Sequence, residues 1–252
     1  MKAVIPAAGL GSRLGNMTLS QSKELFTVWD RPAIQYIIEE SISAGIDEIC
    51  IIVSSSKSAI KEHLDKINFD ASIYYITQRE PRGLPDAIYT AKGFLRDDMF
   101  AVLLPDDVLV DNYNLINILI RLYKRFKRSI IAVHPVEGDD VSKYGIVDCG
   151  GSDASCAPIN HIVEKPTPAD APSNLAVIGR YVFEPDIVPY LKNADNLAIS
   201  ISRLIPRGVY AYTCDSLKRY DIGSPSELLR ANIDFYLAHH PNDSERLFTR
   251  PV

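Results

Sequence analysis

The run Lys2-Ala3-Val4-Ile5-Pro6-Ala7-Ala8-Gly9-Leu10-Gly11-Ser12-Arg13 decides how the rest of the chain has to be read. Its first half is an apolar segment of strand length, and its second half is a glycine-punctuated loop that can bring bare backbone amides close to an anion. That is the layout of a phosphate cradle, although a plain strand-to-helix turn with glycines for geometry has the same spacing. A dinucleotide-binding loop needs glycine at position 14, where Leu14 stands, so Asp30, at the distance of a ribose-binding acid, is read as coincidence. No Gly-Lys-Ser/Thr closes a Walker loop. The loop instead has two cations beside its amides, Arg13 and, ten residues on, Lys23. Such a set suits a triphosphate under attack better than a resting pyrophosphate.

Outward from the loop, strands and helices alternate. Ile34, Ile37, Ile38, Ser41 and Ile42 recur at helical spacing, and Gly45 ends that helix. Residues 48–53 form a continuous apolar run, the pattern of a strand buried on both faces. Helix is predicted over 56–64 and 84–93, strand over 72–77 and 100–104. This order argues for an α/β fold built on a doubly wound, mostly parallel, Rossmann-like sheet. Ligands of such sheets lie beyond the carboxyl ends of the strands, where the glycine loop, the loop from Gln78 to Gly83 and Leu104-Pro105-Asp106-Asp107 all fall. Carboxylates at the end of a buried strand suit a hard cation; an acidic turn is the plain alternative, and Asp107 reads as a neighbour or a helix-capping acid. Lys124, Arg125, Lys127 and Arg128 close a helix near 115–126 and read as a solvated C-terminus.

The second half changes texture, with strands separated by longer loops rich in Gly, Pro and Asp. Within it stand Lys143-Tyr144-Gly145-Ile146-Val147-Asp148, Val163-Glu164-Lys165-Pro166 and Arg219-Tyr220-Asp221-Ile222-Gly223. In Pro172-Ser173-Asn174-Leu175-Ala176-Val177-Ile178-Gly179-Arg180-Tyr181, Ala176 and Gly179 are small enough for a ligand to lie close. A last helix over 224–237 carries Ser224 as cap, Pro225 in the first turn and Glu227 three residues on. The polar tail from 239 to 252 is expected to be loosely ordered.

With 252 residues the chain can bury one large core, and its net charge of −5 argues against sequence-independent nucleic-acid binding. The four cysteines, Cys50, Cys149, Cys156 and Cys214, form no Cys-x-x-Cys pair, so neither a zinc site nor a disulfide framework is indicated. No apolar window approaches membrane-span length and no secretory pattern opens the chain, so a cytoplasmic protein is expected. The five histidines show neither catalytic nor metal-ligand spacing.

Ala7-Ala8-Gly9-Leu10-Gly11-Ser12-Arg13, Ser22-Lys23-Glu24, Arg31-Pro32-Ala33-Ile34-Gln35-Tyr36 and the run from Pro172 to Tyr181 resemble the bacterial UTP–glucose-1-phosphate uridylyltransferases, also called UDP-glucose pyrophosphorylases, of the sugar-phosphate nucleotidyltransferases. The resemblance covers nearly the whole chain. It implies a nucleotide-diphospho-sugar transferase fold with an added β-rich sugar-binding half, in a single domain over 1–240. The nucleotide half would span 1–136, the sugar-phosphate half 137–223, a C-terminal helix 224–240 and a tail 241–252. It implies UTP and glucose 1-phosphate as substrates and Mg2+ held by Asp106 and Asp221. Ala8, Gly9 and Gly11 would line the nucleotide phosphates, and Gln78 and Gly83 would face the base. Gly145 and Glu164 would receive the sugar, Lys165 its phosphate, and Arg13 and Lys23 would offset charge at the reacting phosphates. A homodimer or larger assembly is implied as well. The chain departs from the family's pattern at Leu19, Ser22 and Thr27, at Pro85-Asp86, and over residues 193–200. Two rivals follow from these departures: the same chemistry with another base or sugar, such as thymidylyl transfer, and a sugar-nucleotide-binding regulator without turnover. A nicotinamide dehydrogenase is a third and weaker alternative.

Overall fold

In the first strand, β1 (Lys2–Pro6), side chains alternate between two apolar clusters: Ala3 and Ile5 pack on one side, Val4 on the other, all fully buried. A strand with helices on both faces needs apolar residues at every position, which is why it reads as an unbroken run. The computed structural model describes residues 1–110, 114–151, 154–215 and 217–243. After a small hairpin, β2 (Thr27–Val28) and β3 (Arg31–Pro32), the chain continues through α1 (Ala33–Ser43), β4 (Glu48–Ser54), α2 (Ser58–Leu64), β5 (Ser72–Gln78), α3 (Leu84–Thr90), α4 (Lys92–Leu95), β6 (Phe100–Leu103), β7 (Asp107–Leu109), α5 (Leu115–Phe126) and β8 (Ser129–Pro135). The second half contains β9 (Gly145–Asp148), β10 (Cys156–Pro158), β11 (His161–Glu164), β12 (Leu175–Phe183), α6 (Val188–Leu191), α7 (Leu197–Leu204), β13 (Val209–Thr213), β14 (Arg219–Asp221) and α8 (Pro225–His239).

The main sheet runs β10-β13-β8-β12-β6-β1-β4-β5, with β9 added beside β12 and β11 beside β9. Its nucleotide-side half, β5-β4-β1-β6, is parallel throughout, as expected. The nine-residue β12 runs antiparallel between β6 and β8 and joins the two halves into one sheet. Helices α1, α5 and α8 cover one face, while α3 and α7 cover the other.

Most predicted elements are present, with shifted ends. The helix expected over 56–64 begins at Ser58, and the one expected over 84–93 is broken at Ala91 into α3 and α4. Gly45 does stop α1, with φ of 79°. Ser224 caps α8, its hydroxyl accepting from the Glu227 amide at 3.3 Å. The basic cluster after α5 ends the helix at Lys127 and stays at the surface. Of the expected loose tail, α8 takes in His239 and Pro241–Asp243 forms a helical turn; residues 244–252 lie outside the described residues.

Candidate active site

β1 ends at Pro6, and the loop that leaves it is held by an interaction that spacing does not reveal. Lys57, in the turn after β4, donates from Nζ to the carbonyls of Ala7 at 2.9 Å and Gly9 at 2.6 Å and to both oxygens of Glu24 at 2.9 and 2.7 Å. Glu24 is 0 % exposed and Lys57 only 8 %. Burial pushes the Glu24 carboxyl up and the Lys57 ammonium down; the attraction between them offsets that cost only in part. With their carbonyls turned to Lys57, Ala7 and Gly9 are fixed in orientation. At Gly11, φ is +69° and an added Cβ would lie 2.8 Å from the Thr18 methyl, so the position requires glycine.

Beyond the loop, two ion pairs face each other across the carboxyl edge of the sheet. Lys23 donates to Asp106 at 2.5 Å, and Arg13 to Asp221 at 3.1 Å. The two carboxylates, 115 positions apart, are brought together because β14 pairs antiparallel with β7 and the Ile222 amide donates to the Asp106 carbonyl at 2.9 Å. Burial alone would raise Asp106, yet the charge and hydrogen bond of Lys23 outweigh it and hold this carboxyl below its usual range. Conversely, burial would lower Lys23, but Asp106 and Glu24 hold its ammonium above the usual value. Asp221 is held from two sides: besides Arg13 it accepts from the Gly223 amide at 3.0 Å. An added Cβ on Gly223 would sit 2.6 Å from the Arg13 guanidinium, so that glycine clears the space for the pair.

Two clefts meet at these pairs. The first, about 350 Å³, is lined by Ala8, Gly9, Gly11, Lys23, Gln78, Gly83 and Asp106 among others. The second, also about 350 Å³, takes in Arg13, Asp106, Gly145, Glu164, Lys165 and Asp221. Leu84, Leu104 and Asp106 belong to both walls. Every residue to which the resemblance gives a role in binding or charge compensation thus lines one cleft or the other, and Asp106 is the one among them that lines both. Lys165 lines the second cleft with φ of +47° and a side chain 61 % exposed; its Nζ lies 3.8 Å from Glu164, with no closer ion pair among the described residues. Asp195, Asn196, Leu197 and Ala198, from the segment that departs from the family's pattern, also line the second cleft; Asn196 caps α7 by accepting from the Ile199 amide at 3.0 Å.

One expectation changes and two residues gain a further role. Asp107 is not a helix-capping acid: it is 4 % exposed in β7 and accepts from Arg219 at 2.5 Å and from the Gly179 amide at 2.6 Å. Gly179 lines the second cleft, as its size led one to expect, and it is small for an internal reason as well, because an added Cβ would lie 2.6 Å from Leu104 and 3.0 Å from Asp107. The Arg219 guanidinium stands 4.7 Å from the centre of the Tyr144 ring and helps line the second cleft, a role its place in a motif did not disclose. Asp30 lies in the β2–β3 hairpin, bonded to Arg31 and Tyr36, and lines neither cleft, in keeping with coincidence.

The donor set can be tested against a divalent cation. Among the described residues no group of three or more His, Cys, Asp or Glu side chains is arranged to hold a metal. Asp106 and Asp221 supply two hard oxygen donors beside the junction of the clefts. That fits an ion such as magnesium, which takes one or two carboxylates and fills its remaining positions with water and substrate phosphate.

The Nucleotidyl transferase family profile matches residues 2–236. A UTP–glucose-1-phosphate uridylyltransferase of Bacillus subtilis is 37 % identical over 265 residues, covering 93 % of this chain and 90 % of its own. A UTP-bound UDP-glucose pyrophosphorylase from Acinetobacter baumannii superposes with a TM-score of 0.87 at 33 % identity, covering 98 % of this chain and 96 % of that one. A UDP-glucose pyrophosphorylase complexed with UDP-glucose superposes with a TM-score of 0.86 at 31 % identity, covering 93 % and 98 %. With a profile spanning nearly all its length and relatives this similar, the chain belongs to the nucleotidyl transferase family.

Proposed function

We propose that this protein transfers a uridylyl group from UTP to glucose 1-phosphate, forming UDP-glucose and releasing pyrophosphate. The observation that carries the reading is the meeting of two clefts at Lys23–Asp106 and Arg13–Asp221, where two anionic ligands would touch. The relatives named above act on, or are bound to, these same molecules. In this reading the nucleotide occupies the cleft of Gln78, Gly83 and the glycine loop, and the sugar phosphate that of Gly145, Glu164 and Lys165.

A phosphate oxygen of the sugar 1-phosphate attacks the α-phosphorus of UTP. A new P–O bond forms as the α–β bridging bond breaks, and its electron pair leaves with pyrophosphate. The nucleophile is already an anion, so no general base and no covalent intermediate are required. What the protein has to supply is alignment and charge compensation for two polyanions. Lys165 holds the attacking phosphate, Lys23 and Arg13 face the α-phosphate and the departing pyrophosphate, and the amides of the loop from Ala8 to Gly11 receive the remaining phosphate oxygens. Mg2+ held by Asp106 and Asp221 would neutralise phosphate charge and draw the two substrates together. Glu164 accepts from sugar hydroxyls, next to Gly145, where the absence of a Cβ leaves room.

No described helix is long and apolar enough to cross a membrane, and all four cysteines are free. The free cysteines support placing this chemistry in a reducing cytoplasm, and a sugar 1-phosphate substrate would make it part of carbohydrate metabolism. The test is a pyrophosphate-release panel with Mg2+, crossing UTP, dTTP, CTP, ATP and GTP with several sugar 1-phosphates. UTP with glucose 1-phosphate should lead the panel; UDP-glucose binding without pyrophosphate release would refute turnover.

A further inference from the structure

Pro85-Asp86 departs from the family's pattern at the start of α3, beside the residues read as facing the base, and the structure gives Asp86 a partner. Gln78, at the end of β5 and 5 % exposed, donates from Nε2 to the Asp86 carboxylate at 2.7 Å and to the Gly83 carbonyl at 3.2 Å. Both partners are acceptors only. Turning the amide over would set its oxygen against a carboxylate and a carbonyl, so one orientation is locked.

The consequence lies on the other side of the amide. Gln78 Oε1 makes no hydrogen bond among the described residues, yet the one buried side-chain polar atom without a partner is His63 Nε2. Oε1 therefore keeps contact with open space, and the space that Gln78 lines is the nucleotide-side cleft. Next to it, the Gly83 carbonyl is occupied by Gln78 and the Ala87 amide, while the Gly83 N–H donates to no described residue. The wall thus offers one acceptor, Oε1, beside one donor, the Gly83 N–H.

We infer that Asp86 is a specificity-determining positioning residue: by locking the Gln78 amide it makes the cleft complementary to a base edge that pairs an N–H donor with a carbonyl acceptor. Uracil has this pattern at N3–H and its flanking carbonyls. Cytosine held in the pose that sets N3 against Oε1 presents an acceptor there, so its lone pair would face that of Oε1. Adenine can meet the same pair through its amino N–H and N1, so the wall alone does not exclude it. The pattern does not separate uracil from thymine or from guanine. Asp86 itself lines a neighbouring depression and not the nucleotide-side cleft, so it acts only through Gln78.

This inference rests on the uridylyl-transfer reading for the choice of ligand, and its test is equilibrium binding without sugar phosphate, which requires no turnover. UTP, CTP and N3-methyl-UTP are titrated into the full chain by calorimetry, for the wild type and for Asp86→Ala and Asp86→Asn, with thermal unfolding followed in parallel. Wild type should prefer UTP over CTP by about a hundredfold. In Asp86→Ala the amide can turn, and the preference should fall at least about tenfold. Asp86→Asn, which keeps an oxygen acceptor, should retain most of it. N3-methyl-UTP should bind wild type at least about tenfold more weakly than UTP, a result that does not depend on any variant folding. An unchanged UTP-to-CTP ratio in a folded Asp86→Ala protein, or equal weakening of both nucleotides, overturns the inference. Base discrimination by binding without pyrophosphate release would sink the transferase reading and leave Asp86's role intact; turnover with an unaltered ratio would do the reverse.

Discussion

Replacing Lys57 by methionine tests how the glycine loop is held. The substitution keeps an unbranched chain and removes one ammonium that serves four acceptors: the carbonyls of Ala7 and Gly9 and both oxygens of Glu24. Glu24, with 0 % exposure, would be left without its counterion. Breaking one partner of a buried pair costs about 3–5 kcal/mol, because the remaining charge must stay desolvated or take up a proton. For a chain of this size that is a fall in Tm of about 10 °C. Removing Glu24 as well, in Lys57→Met/Glu24→Met, should recover most of the loss, because no orphaned charge remains. Function should divide differently from stability. In both variants the Ala7 and Gly9 carbonyls lose their tether, so kcat/KM for the nucleotide should fall at least about tenfold even where stability is regained. KM for the sugar 1-phosphate should hardly move, since that ligand occupies the other cleft. Urea unfolding and initial-rate kinetics at varied nucleotide supply the readouts. A loss under about 1 kcal/mol in the single variant, or a double variant no more stable than the single, would refute the reasoning.

Asp106→Asn should cut kcat by at least about a thousandfold while the fold persists, measured by pyrophosphate release across a magnesium titration; near-normal turnover would remove Asp106 from the site. Lys165→Ala should lower kcat/KM for the sugar 1-phosphate by about a hundredfold and leave UTP binding unchanged by calorimetry, because its side chain belongs only to the second cleft. The Asp30 carboxyl, held at about 2 by its hydrogen bond from Arg31, should titrate near that value by NMR. Its folded pKa lies below the ordinary 3.8, so its contribution to stability is present above 3.8 and is lost as pH falls toward 2. Asp30→Asn should therefore remove part of the acid-side slope of stability and leave the neutral plateau unaltered.

Local patterns carried the reading of the first half. An apolar run ending in glycines is visible in a handful of neighbouring residues, and β1 with its loop is where that pattern put it. The carboxylates of the site could be proposed because they sit in motifs; Asp221 ends β14 and Asp106 immediately precedes β7, two strands that pair only in the folded chain. Lys57 escaped notice because a lysine after three serines reads as surface charge, and its burial comes from a loop and a carboxylate many residues upstream. Arg180 is a similar case: it is 1 % exposed and paired at 2.7 Å with Glu40, 140 positions away on α1. The place of Asp107 could not be decided between a neighbour and a helix-capping acid because the Arg219 side chain and the Gly179 amide that hold it lie 112 and 72 positions away. What stayed hidden was in each case a contact between distant segments, which no periodicity encodes.

The short ribbon of β7 and β14 has a consequence for the timing of synthesis. Residues 219–221 must emerge before Asp221 can stand beside Asp106, even though the glycine loop and Lys23 are made at the outset. A nascent chain can complete its parallel strands and still have only one of the two acidic arms. Competence therefore arrives late and all at once, when the final strand docks, and a chain cut short before that strand lacks the second arm altogether.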